Sequence, residues 1–65
     1  MNITVNGQAT QAHEGETLEQ LIARFQIKGP VAAQLNEIII RREALAAQPL
    51  KEGDRIELLT MMGGG

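Results

Sequence analysis

The spacing of hydrophobic residues changes along this chain, and it begins with the period of a β-strand. The first five residues alternate apolar and polar side chains, as in a half-buried strand. Asn6-Gly7 follows, a dipeptide typical of a type I′ turn, which needs positive φ at both central positions. We therefore predict that residues 8–12 return as the second strand of a hairpin, with Thr10 and Ala12 facing inward.

The next apolar residues repeat at the spacing of one helical face. They are predicted to be core residues, and they are Leu18, Leu21, Ile22 and Phe25. Thr17 and Gln20 have the spacing of a capping box, so the helix is predicted to start just after Thr17. Gly29-Pro30 is predicted to end it, because a helix rarely continues through either residue.

Three more strands are predicted in the second half of the chain. Residues 31–35 and 38–40 are strand-like, and Asn36-Glu37 is a candidate turn between them. At least one isoleucine of 38–40 must face outward. Residues 42–47 are predicted to form a short helical turn.

The last strand, residues 55–58, alternates again, so Ile56 and Leu58 should face the core and Leu59 the outside. The order of these elements predicts an α+β domain with a mixed sheet of about five strands and one main helix across one face. Central, parallel first and last strands are compatible with this order.

Composition removes several classes of function. The chain has 65 residues, no cysteine and a net charge of −2, which limits it to one domain without disulfides and argues against nucleic-acid binding. The aliphatic run Ile38 to Ile40 is too short to span a membrane, and the start of the chain lacks the features of a signal peptide. We expect a cytoplasmic protein that binds neither nucleic acid nor membranes.

The most unusual segment is the end of the chain, Met61-Met62-Gly63-Gly64-Gly65. Three glycines add no packing and accept almost any backbone conformation. We therefore predict a folded domain at 1–60 and a flexible tail at 61–65, called the tail below. The tail would present a single reactive group, the α-carboxylate of Gly65.

Several segments together make the chain similar to a known family: Asn6-Gly7, residues 15–18, residues 52–57 and the glycine terminus. With them the chain resembles the ubiquitin-like β-grasp proteins, and among these the ThiS-like sulfur carriers of thiamine biosynthesis. The resemblance implies that a ThiF-like enzyme adenylates Gly65 with ATP, that a persulfide donor converts the adenylate to a thiocarboxylate, and that thiazole synthase receives the sulfur. It also implies no catalytic residue, no bound cofactor and no metal site in the chain itself.

A carrier needs a delivery segment and a docking surface. Gly63 and Gly64 would let the tail pass close to the walls of a narrow active site, because they have no Cβ. Exposed apolar patches often mark partner sites, and arginines, Arg55 among them, would contact the partner at the rim. The residues predicted to bind partners are Leu59, Met61, Met62, Ile38, Ile40, Arg41 and Arg42.

Other interpretations remain open. The same thiocarboxylate chemistry serves the small subunit of molybdopterin synthase, and a Gly-Gly terminus also occurs in ubiquitin-like protein modifiers. An interaction domain with an inert tail is a third possibility. His13 is predicted to be a solvated loop residue, and Glu14 and Glu16 are predicted to be solvated or to favour the helix N-terminus.

Overall fold

The computed structural model describes residues 1–27 and 29–60 of the chain. The elements in these ranges are β1 (Asn2–Val5), β2 (Gln8–Gln11), α1 (Leu18–Arg24), β3 (Val31–Leu35), β4 (Ile38–Ile40), a 3₁₀ helix (Arg42–Ala47) and β5 (Arg55–Thr60). The predicted elements and their order are confirmed.

The strands form one mixed sheet in the order β2-β1-β5-β3-β4. β1 and β5 lie side by side at its centre and run parallel, with Thr4 opposite Arg55 and Val5 opposite Ile56. The other three pairs are antiparallel. Parallel neighbours need a long connection, and here that connection contains β2, α1, β3 and β4. The predicted α+β, β-grasp architecture is confirmed.

The core lies between α1 and one face of the sheet. Leu18 and Leu21 of α1 are fully buried, whereas Ile22 is half-buried against the same cluster. The sheet contributes the inward residues of its strands, namely Ile3, Val5, Ala33, Leu35, Ile56 and Leu58. Ala12 is also buried and Thr10 is half-buried, as the alternation of the second strand predicted.

The start of α1 agrees with the prediction, but its end does not. Thr17 Oγ1 accepts a hydrogen bond from Gln20 N at 3.2 Å, and Gln20 Oε1 accepts one from Thr17 N at 2.9 Å, completing the capping box. The helix ends at Arg24 with Phe25 as its C-cap, and Gln26 adopts a φ of 58°. A left-handed residue stops the helix before Gly29-Pro30 is reached.

Phe25 is 40% exposed, so its prediction as a core residue was wrong. The cause is the early end of α1, which leaves Phe25 at the cap rather than inside the last turn. Its ring instead lies 6.0 Å from the Arg24 guanidinium carbon.

Both hairpin turns have positive φ at their two central residues. The φ values are 51° and 81° at Asn6 and Gly7, and 50° and 75° at Asn36 and Glu37. These are the signs that a type I′ turn requires. Both turns lie next to β5: Asn6 contacts Ile56 and Leu58, and Asn36 contacts Arg55.

Candidate functional site: the tail end of the central strand

The tail follows β5, which occupies the middle of the sheet and ends at Thr60. Five of the predicted site residues lie outside the described residues: Met61, Met62, Gly63, Gly64 and Gly65. The predicted division into a domain and a flexible tail, and the roles of these five residues, therefore stay predictions. The structure describes the strand that precedes the tail, up to Thr60.

One face of the sheet is not covered by α1, and we call it the open face. Leu59 lies opposite Ala32 of β3, and Ile39 of β4 lies opposite Gln34 of β3. By strand alternation all four side chains point to the open face, away from the core. Leu59 is 63% exposed and Ile39 is 69% exposed. The predicted outward orientation of Leu59 is confirmed.

Ile38 and Ile40 do not share this face with Leu59. Ile38 lies opposite Leu35 and Ile40 opposite Ala33, and both partners are buried inward residues. Ile40 packs against the core, whereas Ile38 is 65% exposed on the α1 side of the edge strand. The predicted grouping of Ile38 and Ile40 with Leu59 was wrong, because pairing with β3 turns Ile39 outward instead.

The predicted rim arginines lie where β4 joins the 3₁₀ helix. Arg41 is the extended residue before that helix and Arg42 is its first residue, and both are exposed. Neither position tests a role in binding, so their contacts with a partner remain predictions.

A charged groove occupies another part of the open face. Its volume is about 190 Å³, and its lining residues are Thr4, Gly7, Gln34, Glu37, Arg55 and Glu57. Arg55 Nη2 and Glu37 Oε2 are 3.6 Å apart and both side chains are largely exposed. Arg55 was predicted to contact a partner, whereas Gln34 and Glu57 were not predicted as site residues, although alternation from Leu35 and Ile56 places both on this face.

The tail end of β5 is held by contacts from both neighbouring strands. On one side it pairs with β3, where Val31 lies opposite Thr60. On the other side Asn6 accepts a hydrogen bond from Leu58 N through Oδ1 at 2.8 Å and donates from Nδ2 to Leu58 O at 3.3 Å. Asn6 was predicted only as a turn residue, because its contact with Leu58, 52 positions away, has no local sequence signal.

Glu16 was predicted to be solvated or to favour the helix N-terminus, but it is buried in an ion pair. Its carboxylate accepts hydrogen bonds from Arg24 Nε at 2.9 Å, Arg24 Nη2 at 3.1 Å and His13 N at 2.9 Å. Burial alone raises the pKa of Glu16, but the Arg24 guanidinium and the His13 N–H outweigh it, so the pKa lies below its ordinary value. The predicted solvation of Glu16 was wrong.

This ion pair borders a second surface depression, which also contains His13, Glu14 and Gln20. Arg24 Nη2 additionally donates to Gln11 O at 3.0 Å, so the pair joins β2, the following loop and α1. Within residues 1–27 and 29–60, every buried side-chain nitrogen or oxygen has a hydrogen-bond partner. We therefore interpret this cluster as structural.

Residues 1–27 and 29–60 contain no group of three or more His, Cys, Asp or Glu side chains arranged to hold a metal ion. No helix in these ranges is long and apolar enough to cross a membrane.

Comparisons with known proteins agree along the full length of the chain. The family model described as "ThiS family" matches residues 3–65. The chain is 33% identical over 66 residues to the sulfur carrier protein ThiS of Escherichia coli, and the match covers all of both chains. It is 35% identical over 66 residues to a thiazole synthase of Magnetococcus marinus, where it spans 20% of the length of that protein.

Two solved structures are similar to the whole chain. The crystal structure of the thiamine biosynthesis protein ThiS from Geobacter metallireducens has a TM-score of 0.84 at 35% identity, and the match covers both chains completely. An NMR solution structure of a thiamine biosynthesis protein from the same organism has a TM-score of 0.81 at 35% identity, covering 88% of that chain. The five-stranded sheet with one helix is thus shared with these proteins.

Proposed function

The chain belongs to the ThiS family, and on that basis we propose that it is a sulfur carrier of thiamine biosynthesis with Gly65 as the residue that carries the sulfur. The observation that supports this most strongly is the extent of the family match, which continues through residue 65 and so includes the glycine terminus. The position of the tail supports it further, since β5 leads from the centre of the sheet directly into residue 61.

The proposed reaction starts at the α-carboxylate of Gly65. With an unperturbed pKa of about 3.5, this group is ionised near neutrality. One carboxylate oxygen attacks the α-phosphorus of ATP and pyrophosphate leaves, which gives an acyl adenylate. A persulfide sulfur then attacks the acyl carbon and AMP leaves. A thiol cleaves the resulting S–S bond, which releases the thiocarboxylate and forms a disulfide.

In this proposal the chain is a co-substrate and supplies no catalytic group. A ThiF-like adenylating enzyme binds and uses the ATP, and the carrier itself binds no cofactor. What the chain contributes is reach, because five extended residues span roughly 17 Å. Gly63 and Gly64 allow close approach to the enzyme, since no Cβ intervenes.

The proposed sulfur acceptor is a thiazole synthase. The Magnetococcus marinus protein supports this choice, because a protein named thiazole synthase contains a segment similar to this whole chain. We propose that the partners dock on the open face around Leu59 and Ile39, with Arg41 and Arg42 at the rim and Met61 and Met62 entering with the tail. Ile38 and Ile40 lie on the other side of the sheet and are left out of this surface.

Intact-mass spectrometry tests the central claim. Incubated with a ThiF-like enzyme, ATP and a persulfide donor, the chain should gain the mass of one oxygen-to-sulfur exchange. The control is a chain that lacks Gly65, which should keep its circular dichroism spectrum and melting temperature but form no product that supports thiazole synthesis.

Three results would contradict the proposal. An unchanged mass with an enzyme set that modifies another ThiS protein would exclude the carrier role. Covalent ladders on lysines, or transfer of sulfur to a molybdopterin precursor in place of thiazole, would assign the tail to a protein modifier or to a molybdopterin synthase subunit.

A further inference from the structure

β5 carries the tail, and its two neighbours pair with it over different lengths. On the β3 side, backbone pairing extends to Thr60 through Val31. On the β1 side, the last paired residues are Val5 and Ile56. The β1 ladder stops there because Asn6 adopts a φ of 51° and the chain turns away at Gly7.

The side chain of Asn6 continues the ladder beyond this point. Its backbone N–H donates to Ile56 O at 2.8 Å, as in a regular parallel pair. Its carboxamide then pairs with both backbone groups of Leu58, accepting from N at 2.8 Å and donating to O at 3.3 Å. One side chain thus replaces a carbonyl and an amide that a longer β1 strand would have supplied.

A hydrogen bond to Leu58 restrains β5 close to the tail. Leu58 is 5% exposed, and only Leu59 and Thr60 separate it from the tail. Without Asn6, the final residues of β5 would keep their pairing with β3 on one side only. Strand ends paired on one side open more readily, because fewer hydrogen bonds must break together.

A second asparagine provides an internal comparison at the start of β5. Asn36 N donates to Arg55 O at 2.8 Å, and Asn36 Oδ1 accepts from Arg55 N at 2.8 Å. Asn36 has a φ of 50°, almost the same as Asn6. Both residues have a positive φ and contact β5 through the backbone N–H and the carboxamide oxygen, but Asn36 Nδ2 donates to the Asp54 carboxylate and only Asn6 contacts Leu58.

We propose that Asn6 is a positioning residue for the tail. By holding Leu58 from the β1 side, it fixes the place and direction from which residues 61–65 extend toward the active site of a partner. The proposal rests on the carrier function proposed above. When the last residues of β5 are held in place, less conformational entropy is lost as the tail binds to an enzyme. Asn6 should therefore act mainly on the KM of that enzyme for the carrier.

The test compares Asn6→Gly with Asn36→Gly. Glycine accepts a φ near 50°, so each variant removes a carboxamide without straining its turn. Amide hydrogen exchange of the free chain reports whether Leu58, Leu59 and Thr60 open. Steady-state kinetics of thiocarboxylate formation with a ThiF-like enzyme report KM and kcat for the carrier.

For Asn6→Gly we expect exchange at Leu58 to Thr60 to accelerate and KM to rise roughly tenfold, with kcat within about twofold of the wild type. For Asn36→Gly we expect at least as large a drop in melting temperature, faster exchange at Arg55 and an unchanged KM. Asn6→Asp, which keeps an acceptor for Leu58 N but loses the donor to Leu58 O, should lie between wild type and Asn6→Gly.

Equal effects of the two glycine variants on KM would overturn the proposal, since Asn6 would then matter only for stability. Unchanged exchange at Leu58 in Asn6→Gly would overturn it as well. A wild-type chain that forms no thiocarboxylate would refute the carrier function, and with it the role of Asn6 in delivery, whereas the exchange data would still show whether Asn6 holds the strand.

Discussion

The start of β5 and its second half, which leads to the tail, are anchored in different ways, although an asparagine in a positive-φ turn contacts each. At the start, the buried Asp54 accepts hydrogen bonds from Asn36 Nδ2 at 3.0 Å and from Lys51 N at 2.8 Å. Gly53 N also donates to Asn2 O at 2.7 Å. At the tail end, the contacts are backbone pairing with β3 and the carboxamide of Asn6.

The second buried carboxylate, Glu16, also belongs to the region around the start of β5. Its backbone carbonyl accepts from Leu50 N at 2.9 Å, just before the turn that leads into the strand. Its side chain is held by Arg24. Buried polar networks of this kind specify a single arrangement when every member is paired.

The contacts at the start of β5 serve the stability of the fold, whereas the tail end serves the delivery proposed above. Anchoring polar groups at the start of β5 stabilise the fold without occupying the surface near the tail. Leu59 stays exposed at the tail end, which suits the partner docking proposed above.

Among variants that test the two ends of β5, the largest change in the free energy of unfolding is expected from Arg24→Gln, which weakens the region at the start of the strand. The Glu16 side chain, only 4% exposed beside Arg24, would lose the guanidinium and keep only His13 N among its present donors. We expect a loss of about 2 kcal/mol in unfolding free energy at pH 7, less than for a fully buried pair because Arg24 is partly exposed. Urea denaturation measures it.

The same variant should change the pH dependence of stability. The folded-state pKa of Glu16 is lowered, so the wild type holds this stabilisation above the unfolded pKa and loses it as the pH falls through the folded value. The difference between wild type and Arg24→Gln should therefore narrow below about pH 4. A difference that stays constant with pH would show that the carboxylate is not the source of the stabilisation.

A smaller effect is expected from Leu59→Asp, which tests the tail end as a docking surface. Ile38→Asp is the matched control, because Ile38 is exposed to the same degree, 65% against 63%, on the opposite side of the sheet. We expect Leu59→Asp to weaken binding to the ThiF-like enzyme about tenfold, or ~1.4 kcal/mol, and Ile38→Asp to have little effect. Titration calorimetry with folded variants gives both values, and equal losses would exclude the open face as the specific surface.

The smallest effect concerns the two turns themselves. Glu37 has a φ of 75°, in a region that favours glycine, and its ion pair with Arg55 is largely exposed. Glu37→Gly should therefore stabilise the chain by about 0.5 kcal/mol, since relief of strain exceeds the loss of a weak surface pair. The reciprocal Gly7→Glu should destabilise it by about 1 kcal/mol. Melting temperatures of both variants test this, and destabilisation by Glu37→Gly would mean that the ion pair outweighs the strain.

Much of the fold could be predicted from local patterns. Alternation identified Ile56 and Leu58 as core residues, and the Thr17 to Gln20 spacing identified the start of α1. The end of α1 was missed because Gln26 carries no helix-stop signal of its own. The outward isoleucine of β4 was misassigned because three identical side chains do not show which one faces the core.

The candidate site was likewise predictable from the sequence only in part. The glycine segment on which the proposed chemistry rests is visible in the sequence, and the family model matches through residue 65. The residues that hold the tail end of β5 could not be predicted, since Asn6 and Leu58 are separated by 52 positions.

By itself, then, the sequence determined the elements, most of their hydrophobic faces and the glycine segment that the proposed function uses, because these depend on residues close together in the chain. The tertiary structure alone decided that Glu16 is buried beside Arg24, that Ile39 rather than Ile38 shares a face with Leu59, and that Asn6 extends the ladder of β5. Each of these depends on which segments meet in space, and hydrophobic periodicity does not specify the partners of a hydrogen bond.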